Sequence, residues 1–227
     1  MLHKATLSKR NNDMSDNREF TYDTTMFRDT FENDFTYLNG FLRNAHRYAK
    51  KTALTCPLRD KKWTYQELDK ACNVLAHALQ KDGVGKADVV MYQLYNCAAW
   101  VFLYLASQKL GAINCPINFR WSYGETAYAF DDSKPKVYFY DAADSEMAEK
   151  ALNKASHKPK TVVMVDILGT AKPFAGAITF EEYITGQPDT DPGIFRPTHI
   201  YDETTRLYTS GTTGMPKGVP LNNINEI

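Results

Sequence analysis

Apolar positions along the chain follow two spacings, one typical of helices and one typical of buried strands. The clearest helical spacing lies in "KKWTYQELDKACNVLAHALQKDGVG", where Leu68, Leu75 and Leu79 recur at multiples of three to four residues. Thr64 and Glu67 form the Thr-x-x-Glu pattern of a capping box at its start, and a Gly follows its end. The segment is therefore predicted to be an amphipathic helix.

Short, continuous apolar runs alternate with further helical segments. The predicted strands are "DVVMYQL", "AINCPI", "KVYFYD", "TVVMVDIL" and "TRLYT". The predicted helices are "TYLNGFLRNAHRYAKK", "AAWVFLYLASQKLG", "SYGETAYAFDDS", "SEMAEKALNKAS", "TFEEYIT" and a last one starting near "NNINEI". Because strand and helix alternate, we predict an α/β fold with a largely parallel sheet flanked by helices.

Residues 89–108 contain no charged side chain over a length that could cross a bilayer. Gln93 and Asn96 lie near the middle, however, and a strand-like half precedes a helix-like half. This pattern favours a buried β-α unit, so no integral membrane segment is predicted. Residues 1–34 form a polar leader without the apolar core of a secretion signal, which favours a cytoplasmic location.

Charge and cysteine content narrow the classes of partner. The 227 residues carry 27 Lys and Arg against 27 Asp and Glu, so the net charge is zero. A zero net charge provides no electrostatic attraction to nucleic acid. The cysteines are spread singly, as expected of free thiols in a reducing compartment, and the scattered histidines form no metal-chelating pair. Small molecules or other proteins are therefore the expected partners, and no protein-held metal is expected.

The stretch "TSGTTGMPKG" concentrates phosphate-binding chemistry behind the predicted strand "RLYT". Glycine backbones let N–H groups approach phosphate oxygens, hydroxyl groups donate further hydrogen bonds, and lysine supplies a positive charge. The residues concerned are Thr209, Ser210, Gly211, Thr212, Thr213, Gly214, Lys217 and Gly218. Ligands of parallel sheets bind beyond the carboxyl ends of strands, where this loop is predicted to lie, before the helix near "NNINEI".

Three better-known motifs do not fit this loop. A Walker A loop needs Gly before its Lys, whereas Pro216 precedes Lys217. The spacing of G-x-G-x-x-G is absent, and Tyr208 stands where a nucleophile elbow would need Gly before Ser210. The plain alternative is a flexible surface turn with a solvated lysine.

The segment "YTSGTTGMPKGV" resembles the signature phosphate-binding loop of the adenylate-forming superfamily. The segments "WTYQELDKACNVLAHALQKDGV" and "NCAAWVFLYLASQKLGAINCPINFRWSYGETAYAFDDSKPKVYF" are similar to its acyl-CoA synthetase branch. The resemblance covers residues 35–225 and implies the fold of the first part of the large N-terminal domain. Residues 35–227 are accordingly interpreted as an incomplete N-terminal AMP-binding domain that ends just after the phosphate loop.

This resemblance implies a two-step ligase reaction. A carboxylate attacks ATP to give an acyl-adenylate and pyrophosphate, and a thiol, usually coenzyme A, then displaces AMP. ATP, Mg²⁺ and coenzyme A are the implied cofactors, and a carboxylic acid such as a fatty acid is the implied substrate of an enzyme that could be a homo-oligomer. By motif position, ATP and its magnesium would contact Thr209, Ser210, Gly211, Thr212, Thr213, Gly214 and Lys217.

The sequence departs from the family pattern in two places. Asn222 and Asn223 stand where many members have a Thr-His pair, and an Asn there could cap the helix. The adenine, ribose and hinge segments and the catalytic C-terminal lysine would follow residue 227, so no catalytic residue is expected here and the chain alone is expected to be inactive. Two alternatives stay open: an adenylation domain that loads a carrier-protein thiol, and a truncated, non-catalytic binding protein.

Overall fold

The computed structural model describes residues 34–193, 198–209 and 214–226. Within these ranges the helices are α1 (Tyr37–Arg47), α2 (Tyr65–Lys81), α3 (Ala98–Leu110), α4 (Tyr123–Ser133), α5 (Ser145–Lys154), α6 (Phe180–Ile184) and α7 (Asn223–Glu226). The strands are β1 (Thr52–Cys56), β2 (Lys61–Thr64), β3 (Val89–Gln93), β4 (Ile113–Pro116), β5 (Val137–Asp141), β6 (Thr161–Val165), β7 (Ile178–Thr179), β8 (Glu203–Thr209) and β9 (Lys217–Asn222).

Seven of these strands form one sheet in the order β7-β6-β5-β3-β4-β8-β9. Every neighbouring pair is parallel except β8 and β9, which are antiparallel. The prediction of an α/β fold with a largely parallel sheet is thereby confirmed. Since β3 and β5 are buried along their whole length, their continuous apolar runs match strands covered on both faces.

Helices cover both faces of the sheet and bury two apolar cores. On one face α2, α3 and α6 pack over the side chains of Val90, Tyr92 and Phe139. On the other face α4 and α5 pack over Met91, Tyr138 and neighbouring residues. The alternation of side chains along each strand therefore serves both cores.

The helix starts predicted from capping boxes are confirmed at three positions. In α2 the Glu67 amide N–H donates to Thr64 Oγ1 over 3.2 Å, and Glu67 Oε2 accepts the Thr64 amide N–H over 2.8 Å. The same reciprocal bonds open α4 at Ser122 and α6 at Thr179. Each box fixes the direction in which its helix leaves the preceding segment.

The uncharged segment 89–108 is a buried β-α unit, as predicted, because it contains β3 and most of α3. None of the described helices combines the length and the apolar character that a bilayer span requires.

Four strands, β1, β2, β7 and β9, were not predicted. β1 and β2 form a separate antiparallel hairpin in which Leu54 lies opposite Trp63. β9 begins within the glycine-rich stretch and ends at Asn222, so an unpredicted strand lies before the helix that was predicted near residue 222. Both segments have largely exposed residues, which give no apolar run to mark a strand.

Arg59 joins the β1–β2 hairpin to the main sheet. Its Nε donates to the carbonyl oxygen of Ile167 over 2.7 Å, and its Nη2 donates to the carbonyl oxygen of Asp166. Because the planar guanidinium spans two successive carbonyls just after β6, it holds the hairpin in a defined position.

Candidate phosphate-binding hairpin

The predicted phosphate-binding residues lie on and between the last two strands of the sheet. Thr209 ends β8, Lys217 begins β9, and the two residues are register partners. Gly214 lies in the connection between them and is exposed, while Ser210, Gly211, Thr212 and Thr213 fall outside the described residues. The structure thus places Thr209, Gly214 and Lys217 at one end of a hairpin.

This end of the hairpin lies at the edge of the sheet where the parallel strands have their carboxyl ends. β8 runs parallel to β4, with Thr205 opposite Asn114, so Thr209 extends past the end of β4. The loops that follow β3 and β4 reach the same edge, and there the Tyr95 and Phe119 rings lie 4.4 Å apart. The predicted location beyond the strand ends is therefore confirmed.

Lys217 and Thr209 point their side chains to the same face of the hairpin, because directly opposed residues of an antiparallel pair share a face. Both residues are exposed, and Lys217 takes part in no ion pair with the residues that the structure describes. A solvated ammonium beside a threonine hydroxyl is a suitable donor pair for an anionic oxygen. The described part of the loop thus fits a phosphate group.

β8 carries an ion pair on the face of the hairpin opposite to Thr209 and Lys217. The Arg206 guanidinium donates two hydrogen bonds to the Glu203 carboxylate, from Nε to Oε1 over 2.7 Å and from Nη2 to Oε2 over 2.8 Å. This bidentate pair raises the pKa of the Arg206 guanidinium, chiefly through the hydrogen bond to Glu203.

Tyr208 connects the hairpin to α4, on the face of the sheet opposite to the Lys217 side chain. Its hydroxyl donates to Asp132 Oδ2 over 2.6 Å, and its ring meets Trp121 edge to face at 5.7 Å between ring centroids. Burial, followed by the hydrogen bond to Asp132, raises the pKa of the Tyr208 hydroxyl, so it stays a neutral donor.

Gly218 lies opposite Tyr208 and leaves room for its ring. A methyl group at Gly218 would meet Tyr208 Cζ and Arg206 Cδ at 3.3 Å each. Neither Gly214 nor Gly218 has a positive φ, so neither residue has to be glycine for the sake of a left-handed backbone conformation. The role of Gly218 is a close approach between strands, which the sequence alone did not indicate because β9 was not recognised.

Asn222, the last residue of β9, caps the start of the last helix, as predicted. The Asn225 amide N–H donates to Asn222 Oδ1 over 3.3 Å, and the Asn222 amide N–H donates to Asn225 Oδ1 over 3.0 Å. Asn223 is fully buried. Asn222 and Asn225 thus cap α7 in the way that a Ser-x-x-Glu box caps longer helices.

A separate cavity lies between the β1–β2 hairpin, α3 and α6. It has a volume of about 320 Å³ and is lined mainly by apolar side chains, among them Trp63, Phe102 and Phe180. Of the predicted phosphate-binding residues that the structure describes, Thr209, Gly214 and Lys217 do not line it. Within the described ranges, no three His, Cys, Asp or Glu side chains are grouped so that they could hold a metal ion.

Comparison with known proteins identifies several similar CoA ligases. The chain is 30% identical over 175 residues to a 3-hydroxybenzoate–CoA/4-hydroxybenzoate–CoA ligase of Thauera aromatica, covering 77% of this chain and 32% of that protein. It is 34% identical over 174 residues to a medium/long-chain-fatty-acid–CoA/3-oxocholest-4-en-26-oate–CoA ligase of Mycobacterium marinum, covering 74% and 30%. The chain therefore spans about a third of the length of these relatives.

Solved structures agree with these sequence matches. The anthranilate CoA ligase AuaEII, crystallised with anthranoyl-AMP, superposes with a TM-score of 0.75 at 26% identity, over 84% of this chain and 35% of that one. The inhibitor-bound N-terminal domain of FACL13 from Mycobacterium tuberculosis gives a TM-score of 0.69 at 25% identity, over 84% and 44%. The family model described as "AMP-binding enzyme" matches residues 41–226. The chain belongs to the family of AMP-binding enzymes, in which its similar proteins are CoA ligases.

Proposed function

We propose that this chain is the phosphate-binding part of an ATP-dependent acid–thiol ligase. The complete enzyme would convert a carboxylic acid and ATP to an acyl-adenylate and pyrophosphate, and would then form a thioester with coenzyme A. The observation that supports this most directly is the pairing of Thr209 with the exposed Lys217 at the carboxyl edge of a parallel sheet. The CoA ligases named among its relatives support the same reaction.

In this proposal the hairpin binds ATP through its β- and γ-phosphates. The Lys217 ammonium supplies positive charge, and the hydroxyls of Thr209, Ser210, Thr212 and Thr213 donate hydrogen bonds. The contribution to catalysis is electrostatic, because negative charge moves toward the departing pyrophosphate as the acyl-adenylate forms. Mg²⁺ would accompany ATP as part of the substrate.

The proposed acid substrate is a carboxylic acid with an apolar body. Relatives named for hydroxybenzoates and for medium- and long-chain fatty acids match this chain with similar identity. We favour a fatty acid, and a pyrophosphate-exchange screen of the complete protein against acids of increasing chain length would test this choice. Higher exchange with hydroxybenzoates than with every fatty acid would contradict it.

The test of the phosphate-binding role uses Lys217→Ala and Thr213→Val in the full-length product of the coding sequence. Each variant should lower ATP–pyrophosphate exchange by about 100-fold or more, the loss seen when one preorganised transition-state contact is removed. Lys172→Ala, at another exposed lysine, is the matched control and should keep wild-type exchange. Wild-type exchange in both loop variants would refute the proposed role.

The 227 residues alone are proposed not to form acyl-CoA, since the named ligases are about three times longer than the segment they share with this chain. The purified chain, mixed with ATP, Mg²⁺, octanoate and coenzyme A, should release no AMP above the rate without enzyme. Turnover under these conditions would contradict this part of the proposal.

A further inference from the structure

We propose that Asn223 and Glu226 are positioning residues that fix the register of β9 against β8, and with it the face of the hairpin on which Lys217 lies. The meaning of this placement for ATP rests on the proposed function. The register of β9 does not depend on the proposed function, and it can be tested in the 227-residue chain alone.

β9 is held weakly by its own residues. It is the outermost of the strands that the structure describes, with β8 as its neighbour, and its first four residues are exposed. Pro220 has no N–H, so β9 has one backbone donor fewer than a strand without proline. Where no side of a strand is buried, apolar burial does not distinguish one register from the next.

The helix that follows β9 is held strongly. The fully buried Asn223 donates from Nδ2 to Thr198 Oγ1 over 3.3 Å and to the carbonyl oxygen of His199 over 3.0 Å. These acceptors lie in the segment before β8. Asn223 therefore ties the end of the hairpin to its beginning.

Glu226 makes a second connection, to the helix on the same face of the sheet. Its Oε2 accepts a hydrogen bond from Nε2 of the fully buried Gln108 on α3 over 3.1 Å. Its Oε1 accepts one from the Thr205 hydroxyl on β8. Because bonds to a carboxylate are stronger than bonds between neutral groups, this connection is the stronger of the two.

These two connections discriminate between registers, whereas the backbone bonds of an antiparallel ladder can form in several. A shift of β9 by one residue would move Asn223 and Glu226 away from their partners. The buried amides of Asn223 and Gln108 would then lose hydrogen bonds, which costs free energy. Gly218 opposite Tyr208 is the other feature of β9 that favours the observed register.

The register decides where the Lys217 side chain points. Successive residues of a strand alternate between faces, so a shift of one residue would move Lys217 to the opposite face from Thr209. The pair that the proposed function requires would then be lost. Asn223 and Glu226 contact neither residue and act on them through the strand.

The test uses pairs of introduced cysteines as reporters of register in the 227-residue chain. Leu207 and Val219 are register partners, and their exposed fractions are 40% and 39%. L207C/V219C should therefore form a disulfide readily under mild oxidation, because its Cα atoms are close enough. L207C/P220C reports a shift of one residue and should form a disulfide slowly in the observed register.

In the Glu226→Ala background, the ratio of the two disulfide-forming rates should fall by about tenfold or more, the loss expected when two charge-assisted hydrogen bonds no longer favour this register. Asn223→Ala should act in the same direction. Glu226→Gln keeps a side-chain oxygen for Gln108 and should restore part of the ratio. Glu149→Ala removes an exposed glutamate from α5 and should leave the ratio at the wild-type value.

An unchanged ratio in both alanine variants would overturn the proposal. If either variant loses the amide protection of β5 in hydrogen exchange, Thr205→Val replaces it, since that variant removes one donor to Glu226 and keeps the hydrogen bond from Gln108. Thr205→Val should lower the ratio less than Glu226→Ala does, because it removes one of the two hydrogen bonds to the carboxylate, and an unchanged ratio would again count against the proposal. Because no measurement in this test uses ATP, its result would stand even if the proposed ligase function were wrong.

Discussion

At the scale of single residues, the hairpin that carries Lys217 depends on a contact between a tyrosine and a glycine. The Tyr208 ring is held by Asp132 and by Trp121, so it cannot easily move away from β9. Gly218 is the residue it faces, and a larger side chain there would press on the ring. Space between the two strands is therefore set by residues that do not bind phosphate themselves.

Gly218→Ala should destabilise the chain by about 1 kcal/mol relative to Gly214→Ala, because the added methyl group overpacks the contact with Tyr208. Gly214 is the matched control, since nothing lies within 4 Å of the position of its added methyl group. Urea unfolding followed by tryptophan fluorescence would measure the difference. Equal midpoints for the two variants would show that Tyr208 does not restrict residue 218.

At the scale of elements, local signals were readable from the sequence and non-local ones were not. The capping boxes at Thr64, Ser122 and Thr179 lie within four residues, so the starts of α2, α4 and α6 could be predicted. β9 pairs with a strand across a loop, and its exposed residues and its proline gave no strand pattern. Strand pairing depends on partners that no short window of sequence contains.

The same limit applied to the candidate site. The residue types of the loop were read directly, including Thr209 and Lys217, because their motif is contiguous. Their placement opposite each other on two strands could not be predicted, because it depends on β9, which was not recognised from the sequence. The contributions of Tyr208 and Glu226 come from contacts with Asp132 and Gln108 more than 70 positions away in sequence, which no spacing rule could show.

The capping boxes also make the helices sensitive to acid. Backbone hydrogen bonds lower the pKa of Glu67 and of Glu182 below the ordinary value of a glutamate. A carboxyl group with a lowered folded-state pKa contributes stability above its unfolded-state pKa, and this is lost as pH falls through the folded-state value. Stability should therefore decrease as pH falls from about 5 to 3.

The double variant Glu67→Gln/Glu182→Gln checks this prediction. Gln can still accept the amide hydrogen bond of the box but carries no charge to titrate. The decrease in melting temperature between pH 6 and 3.5 should be smaller in the double variant than in the wild type. An identical decrease would assign the acid sensitivity to other carboxyl groups.

At the scale of the whole molecule, the sheet is covered on both faces, and this determines the state of the thiols. All four cysteines are free, as the sequence predicted, and Cys56, Cys72 and Cys115 are buried. Burial raises the pKa of Cys72 and raises that of Cys115 to about 12. Burial likewise raises the pKa of Cys97, which is half-buried at the start of α3. Reactive thiolates are therefore scarce in the folded chain.

A thiol-labelling experiment tests this coverage. Folded chain at pH 7.5 should react slowly with a disulfide reagent, and Cys97 should be the first site labelled because it is the most accessible of the four. In 6 M guanidinium chloride all four thiols should react rapidly. Rapid labelling of Cys72 or Cys115 in the folded chain, located by peptide mapping, would show that the faces of the sheet open.

Pro220 has a further consequence for the outer edge of β9. An exposed edge strand offers unpaired backbone groups that a strand of another molecule could join, and this is a common route to aggregation. Pro220 brings no N–H to such a pairing, and the positively charged Lys217 lies three residues away on the same strand. Together the proline and the lysine therefore make this edge a poor template for growth from one chain to the next.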